Sequence, residues 1–172
     1  AVLAEAATQK MSVKVLDVKT AFLKAHLPDS FEAIHVRPPQ ALVEFGIIEP
    51  GAIWRLQRAV YGLRISPKAW GQERGQEMRN MAATINGVAH FLRQSHIDQS
   101  VWSIVPGKPT LQGVSHQGGT PAVGWVVVYV DDFLVVGSDP AIDATGEANK
   151  NKWMGSEKPT INYGPSASVE YL

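Results

Sequence analysis

The sequence predicts an α+β domain, an antiparallel sheet with helices packed on one face. Three observations predict it. Residues 125–136 (WVVVYVDDFLVV) are apolar except for the Tyr129 hydroxyl and the adjacent Asp131 and Asp132, as expected of two strands joined by a tight turn. Residues 13–22 (VKVLDVKTAF) hold a second strand-like stretch, which ends at Asp17 and runs into helix-compatible residues. After Ser66-Pro67, the side chains of Trp70, Met78, Met81, Ala82 and Ile85 fall roughly on one face of a helix.

The elements follow in order. Residues 1–10 read as the end of a helix and 13–18 as a strand. Residues 19–25 suit a helical turn carrying Phe22 and Leu23. Residues 32–37 alternate as an edge strand, which Pro38-Pro39 stops because proline cannot donate to a ladder. A short strand spans 53–58. Ser66 serves as N-cap and Pro67 as first helical residue of the principal helix, 66–86, which Gly71 and Gly75 weaken. Strands at 88–92 and 101–105 come next. Residues 106–124 are rich in Gly, Pro, Ser and Gln and read as a surface loop. The hairpin occupies 125–137 and a helix 140–153, and 155–168 has a weakly ordered composition.

A chain of 172 residues, 45% hydrophobic, is long enough for one domain with its own core. No run of about 20 apolar residues indicates a membrane span. The start AVLAEAATQK lacks the basic opening of a signal peptide, and the missing initiator Met suggests a piece of a longer chain. Cysteine is absent, which excludes disulfides and thiolate metal sites and fits an intracellular setting. Net charge is zero, which counts against a stand-alone nucleic-acid binder. The densest basic stretch is Arg55, Arg58, Arg64, Lys68 and Arg74, either a solvated surface or one facing a template or triphosphate. None of His26, His35, His90, His96 and His116 forms an i,i+4 pair or a His-Glu motif, so no zinc site is expected.

The paired aspartates need a physical reason. Burying an unpaired charge costs many kcal/mol. Either the chain turns there and exposes both carboxylates, or a cation sits on them, and in a tight hairpin both can hold. A bare Asp-rich turn is the plain alternative. Asp17, at the end of its own strand, could meet the pair on a neighbouring hairpin. Three carboxylates converging on a sheet would suit one or two magnesium ions, the arrangement phosphoryl transfer needs.

LDVKTAFL, VYGLRISPKAW and YVDDFLVVGS, in this order and with IWRL before the second, resemble the reverse transcriptase of Copia-type LTR retrotransposons. The resemblance runs from about Val13 to Gly137, with a weaker match continuing to Val169-Glu170-Tyr171-Leu172. It implies a polymerase palm with a catalytic Tyr-Val-Asp-Asp hairpin, whose phosphate contacts come mostly from fingers and thumb. Residues 1–172 would then be a partial domain, palm with part of the fingers; upstream fingers, thumb and RNase H would lie elsewhere. Asp17, Asp131 and Asp132 take the catalytic and metal-binding positions, for Mg2+ with Mn2+ as a substitute. Thr20, Ala21, Phe22, Tyr61 and Gly62 fall at nucleotide-binding positions, Phe22 where an aromatic blocks a ribose 2′-hydroxyl. Arg64, Ser66, Pro67 and Tyr129 fall at template or primer positions. Ile65 departs from the polar or small residue usual there. Residues 96–100 (HIDQS) resemble the family's Asp-Pro-Ser-Leu-Phe-like segment with Gln for Pro, and the loop at 106–124 reads as an insertion.

The implied function is RNA-directed DNA polymerisation, adding dNTPs to a primer 3′-hydroxyl on an RNA or DNA template. The implied partners are primer-template and the rest of a Pol polyprotein, integrase and RNase H included, without a membrane. The implied setting is intracellular, a cytoplasmic virus-like particle or the nucleus. The alternatives are an inactive or domesticated retroelement fragment, acting if at all as a nucleic-acid or protein binding module, and a non-enzymatic module with Asp131-Asp132 as a hairpin tip.

Overall fold

Alternating apolar residues build a seven-stranded antiparallel sheet, ordered β4-β5-β6-β7-β8-β1-β9. The computed structural model describes residues 2–28, 32–107, 121–157 and 160–161. In chain order the elements are α1 (Val2–Thr8), β1 (Ser12–Asp17), α2 (Ala21–Lys24), β2 (His35–Val36), α3 (Gln40–Glu44), β3 (Trp54–Arg55) and α4 (Ser66–Asn80). They continue with β4 (Ala82–Ile85), β5 (Val88–Gln94), β6 (Val101–Pro106), β7 (Gly124–Tyr129), β8 (Asp132–Gly137), α5 (Asp139–Trp153) and β9 (Ser156–Glu157). The class is mixed α/β, a curled antiparallel sheet with several helices.

The chain divides into two compact units, 1–19 with 75–172, and 20–74. The first holds the sheet, with α5 packed on β4, β8 and β1. One sheet face buries Leu16, Trp102, Ile104, Val126, Phe133 and Val135. Phe133 meets Trp153 of α5 with ring centroids 5.4 Å apart. Lys14 is also buried, and it is paired with Asp143 of α5 at 2.8 Å. A buried ammonium needs such a partner. The second unit has its own small core around Ala21, Ala25, Ala59 and Trp70. It also carries the two-stranded β2-β3 pair.

Several expected elements change. The helix expected over 66–86 ends at Asn80, and Ala82 and Ile85 are strand residues instead. Asn86 and Gly87 both take positive φ, 50° and 77°, as a two-residue hairpin turn requires. The turn folds β4 onto β5 in the register Ile85↔Val88, and Ala83 and Ile85 are buried in alternation. Period two therefore overrides the apparent helical spacing of Met81, Ala82 and Ile85. The helix also begins at Ser66 itself, whose hydroxyl donates back to the Val60 carbonyl at 2.6 Å instead of capping. The expected strand 53–58 contracts to Trp54–Arg55, and that at 32–37 to His35–Val36. A short helix, α3, appears directly after Pro38-Pro39, with Pro39 as its N-cap. Within 155–168 the chain forms β9 and an isolated bridge from Ile161 to Val13. Most of the 106–124 loop, with His116, and the 169–172 match lie outside the described residues.

The β5–β6 turn is built from side chains. Ser95 Oγ accepts from the N–H groups of Ile97 and Asp98 at 3.2 and 3.3 Å. The Ser100 hydroxyl and N–H donate to Asp98 Oδ1 at 2.6 and 2.9 Å. The Ser100 hydroxyl first, then its N–H, holds the Asp98 carboxyl below its ordinary pKa. A depressed folded pKa contributes stability above the unfolded pKa, and that contribution is lost as pH falls through the folded value. NMR titration should therefore place the Asp98 midpoint below the usual carboxylate range, with Ser100→Ala raising it.

Candidate active site

Strand pairing alone brings Asp17 and Asp132 together. In the β1–β8 register Asp17 lies opposite Asp132, and on the other side Asp132 lies opposite Tyr129. Residues opposite each other in an antiparallel pair share a face, with Cβ atoms about 4.5–5.5 Å apart. Both aspartates are half-buried. Val130 and Asp131 form the two-residue turn of the hairpin. The N–H of Val18 donates to the Asp131 carbonyl at 3.0 Å and ties that turn to the end of β1. All three sequence-derived carboxylates thus lie at one end of β1 and the β7–β8 hairpin.

The turn is strained. Val130 has φ 52°, and a β-branched residue in left-handed backbone costs about 1–3 kcal/mol. Tyr129 is 78% exposed at the tip.

Asp17 has neighbours on its other flank. Met154 ends α5 in the left-handed region, and the chain returns as β9 beside β1 in the register Asp17↔Ser156. The Ser156 hydroxyl donates to Asp17 Oδ2 at 3.3 Å. A Cβ on Gly155 would sit 2.5 Å from the Asp17 carbonyl oxygen, so only glycine fits there. Gly155 and Ser156 are functional candidates that sequence reasoning missed. The signal available was a helix C-terminus followed directly by Gly-Ser.

The carboxylates form an all-oxygen donor set, which suits a hard cation. Among the described residues no group of three or more His, Cys, Asp or Glu side chains is arranged to hold a metal ion. Mg2+ commonly takes one or two carboxylates and completes its shell with substrate phosphate and water. One or two of these carboxylates fit that open pattern rather than a closed cage.

The remaining sequence-derived positions belong to the second unit. Thr20 has φ 54° and precedes α2 as its N-cap, with Ala21 buried behind it. Phe22 stacks obliquely on Tyr61, centroids 5.0 Å apart, and Tyr61 is exposed. Gly62 has φ 90°. Arg64 and Pro67 are exposed, whereas Ser66 is fully buried with its hydroxyl on Val60. Within the basic stretch, Arg58 donates to the Leu23 and Lys24 carbonyls at the end of α2. Burial lowers the pKa of the Arg74 guanidinium.

A family model described as reverse transcriptase (RNA-dependent DNA polymerase) matches residues 1–90, just over half of the chain. The chain belongs to this family. The retrovirus-related Pol polyprotein from transposon RE1 of Arabidopsis thaliana is 29% identical over 141 residues, 82% of this chain and 8% of its own length. The corresponding polyprotein from transposon RE2 of the same plant is 28% identical over 163 residues, 94% of this chain and 9% of its own. The chain spans less than a tenth of either relative. No solved structure matches. The Copia-type resemblance read from the motifs agrees with both polyprotein relatives. No helix among the described residues is long and apolar enough to cross a membrane.

Gly155→Ala should lower stability by about 1–3 kcal/mol, because the added methyl would collide with the Asp17 backbone carbonyl. Urea denaturation of the two chains checks this.

Proposed function

We propose that this domain is an RNA-directed DNA polymerase, the polymerising part of a Copia-type Pol polyprotein. The observation that carries the reading is the Asp17↔Asp132 register, with Asp131 in the adjoining turn, in a chain of the reverse transcriptase family. The substrates are dNTPs and a primer on an RNA or DNA template. Integrase and RNase H would be neighbours in the same polyprotein.

Asp17 and Asp131 would hold Mg2+, with Mn2+ as a substitute and Asp132 in support. When bound, the ion supplies positive charge for the attacking primer hydroxyl and the departing pyrophosphate. The chain's own contribution is placement. The strained Val130 turn presents Asp131 beyond the end of the sheet, and the Ser156 hydroxyl holds one oxygen of Asp17 so that the other can point toward the ion. The β1–β8 ladder keeps the carboxylates at a fixed spacing before any ligand arrives.

In the second unit, Phe22 would exclude a ribose 2′-hydroxyl, its ring steadied by Tyr61. Backbone N–H groups near Thr20 and Ala21 would face the triphosphate, beside Tyr61 and Gly62. Arg64, Pro67 and Tyr129 are exposed and would meet template or primer. Ser66 would act there through the backbone it anchors at Val60.

Primer extension by the full polyprotein tests the reading. Asp131→Asn should reduce extension about a hundredfold or more, because a charge that offsets several kcal/mol of transition-state energy is lost. Undiminished extension would overturn it.

A further inference from the structure

The sheet face that presents Asp17 and Asp132 continues into a second group of side chains. Tyr129 and Trp125 are four residues apart on β7 and therefore share that face. Trp125 lies opposite Ser103 of β6, and Ser103 lies opposite Arg93 of β5. Trp125, Ser103 and Arg93 thus form a row across three strands. At about 4.8 Å between strands the row is about 10 Å long. At about 3.3 Å per residue it lies about 13 Å from Tyr129 along β7.

The row borders an open cavity of about 350 Å³ lined by Arg93, Ser95, His96, Ile97, Ser103 and Trp125, among others. Trp125 and Arg93 are half-exposed, and Ile97 is wholly exposed. Among the described residues Arg93 has no ion pair. The neighbouring acid, Asp98, is engaged by Ser100. An indole offers a stacking face to any base, and an unneutralised guanidinium offers paired donors to a phosphate. The cavity lies at the small end of ligand sites, so it suits one unstacked nucleotide rather than a duplex.

We propose that this row is a second nucleic-acid contact, gripping one single strand with a base on Trp125 and the adjoining phosphate on Arg93 and His96. Along β7 the grip lies about 13 Å from the hairpin that bears the catalytic carboxylates. That spacing rests on the polymerase reading, whereas the binding itself does not.

Fluorescence anisotropy of a short fluorescein-labelled single-stranded DNA with the 172-residue chain tests it. Arg93→Gln and Trp125→Ala should each weaken binding about tenfold. Arg93→Gln should also reduce the slope of log affinity against log salt by about 0.7, one phosphate contact on a single strand. Arg93→Lys and Trp125→Phe should retain most of the binding, and all four variants should melt as the wild type does. Equal affinity and salt slope in wild type, Arg93→Gln and Trp125→Ala overturns the grip, as does a wild type that binds no oligonucleotide. Primer extension by the full polyprotein is read separately: row-dependent binding without Asp131-dependent extension keeps the grip and removes the polymerase reading, and the converse removes only the grip.

Discussion

Asp17 and Asp132 face each other across an antiparallel ladder, where like charges repel. The surrounding structure holds that pair in place. Buried contacts on the opposite sheet face, chiefly Leu16 and Phe133 in the same two strands, fix the register. A slip of one residue between the two strands would move one of these apolar side chains off that face. The fold therefore supplies from its core the energy that keeps two carboxylates close together. A divalent cation with substrate phosphate would convert this repulsion into attraction, so the site gains most when it is loaded.

The flanking features serve the same constraint. Gly155 lets the chain pass within contact of the Asp17 backbone, and Ser156 gives that carboxylate a donor. Val130 takes a backbone conformation it disfavours, and the tight turn sets Asp131 beside Val18. Lys14, three residues before Asp17, is buried on the other face and paired with Asp143, which ties α5 to the strand that carries the site.

The hairpin and its carboxylates were legible because charge inside a β-branched apolar run is a strong local signal. The principal helix start, the β1 strand and α5 were legible for similar reasons of composition. The end of α4 was misread because Met81, Ala82 and Ile85 mimic helical spacing, while the Asn86-Gly87 turn that decides the matter depends on two positive φ angles. Ser66 looked like a cap because its hydroxyl has several possible acceptors, and only the folded loop selects Val60. Gly155 and Ser156 were invisible because their role depends on a strand pairing 139 residues distant in sequence. The row Trp125–Ser103–Arg93 was hidden likewise, since its members come from three separate strands.

The most direct measurement is paramagnetic broadening of backbone amide signals by Mn2+, in the wild type beside Asp17→Asn. Broadening is expected at Val18 just after β1 and at Tyr129, Asp131 and Asp132 in the hairpin together, with its loss from both places when Asp17 is changed. Broadening confined to one of the two segments, or unchanged by Asp17→Asn, would contradict a shared carboxylate site.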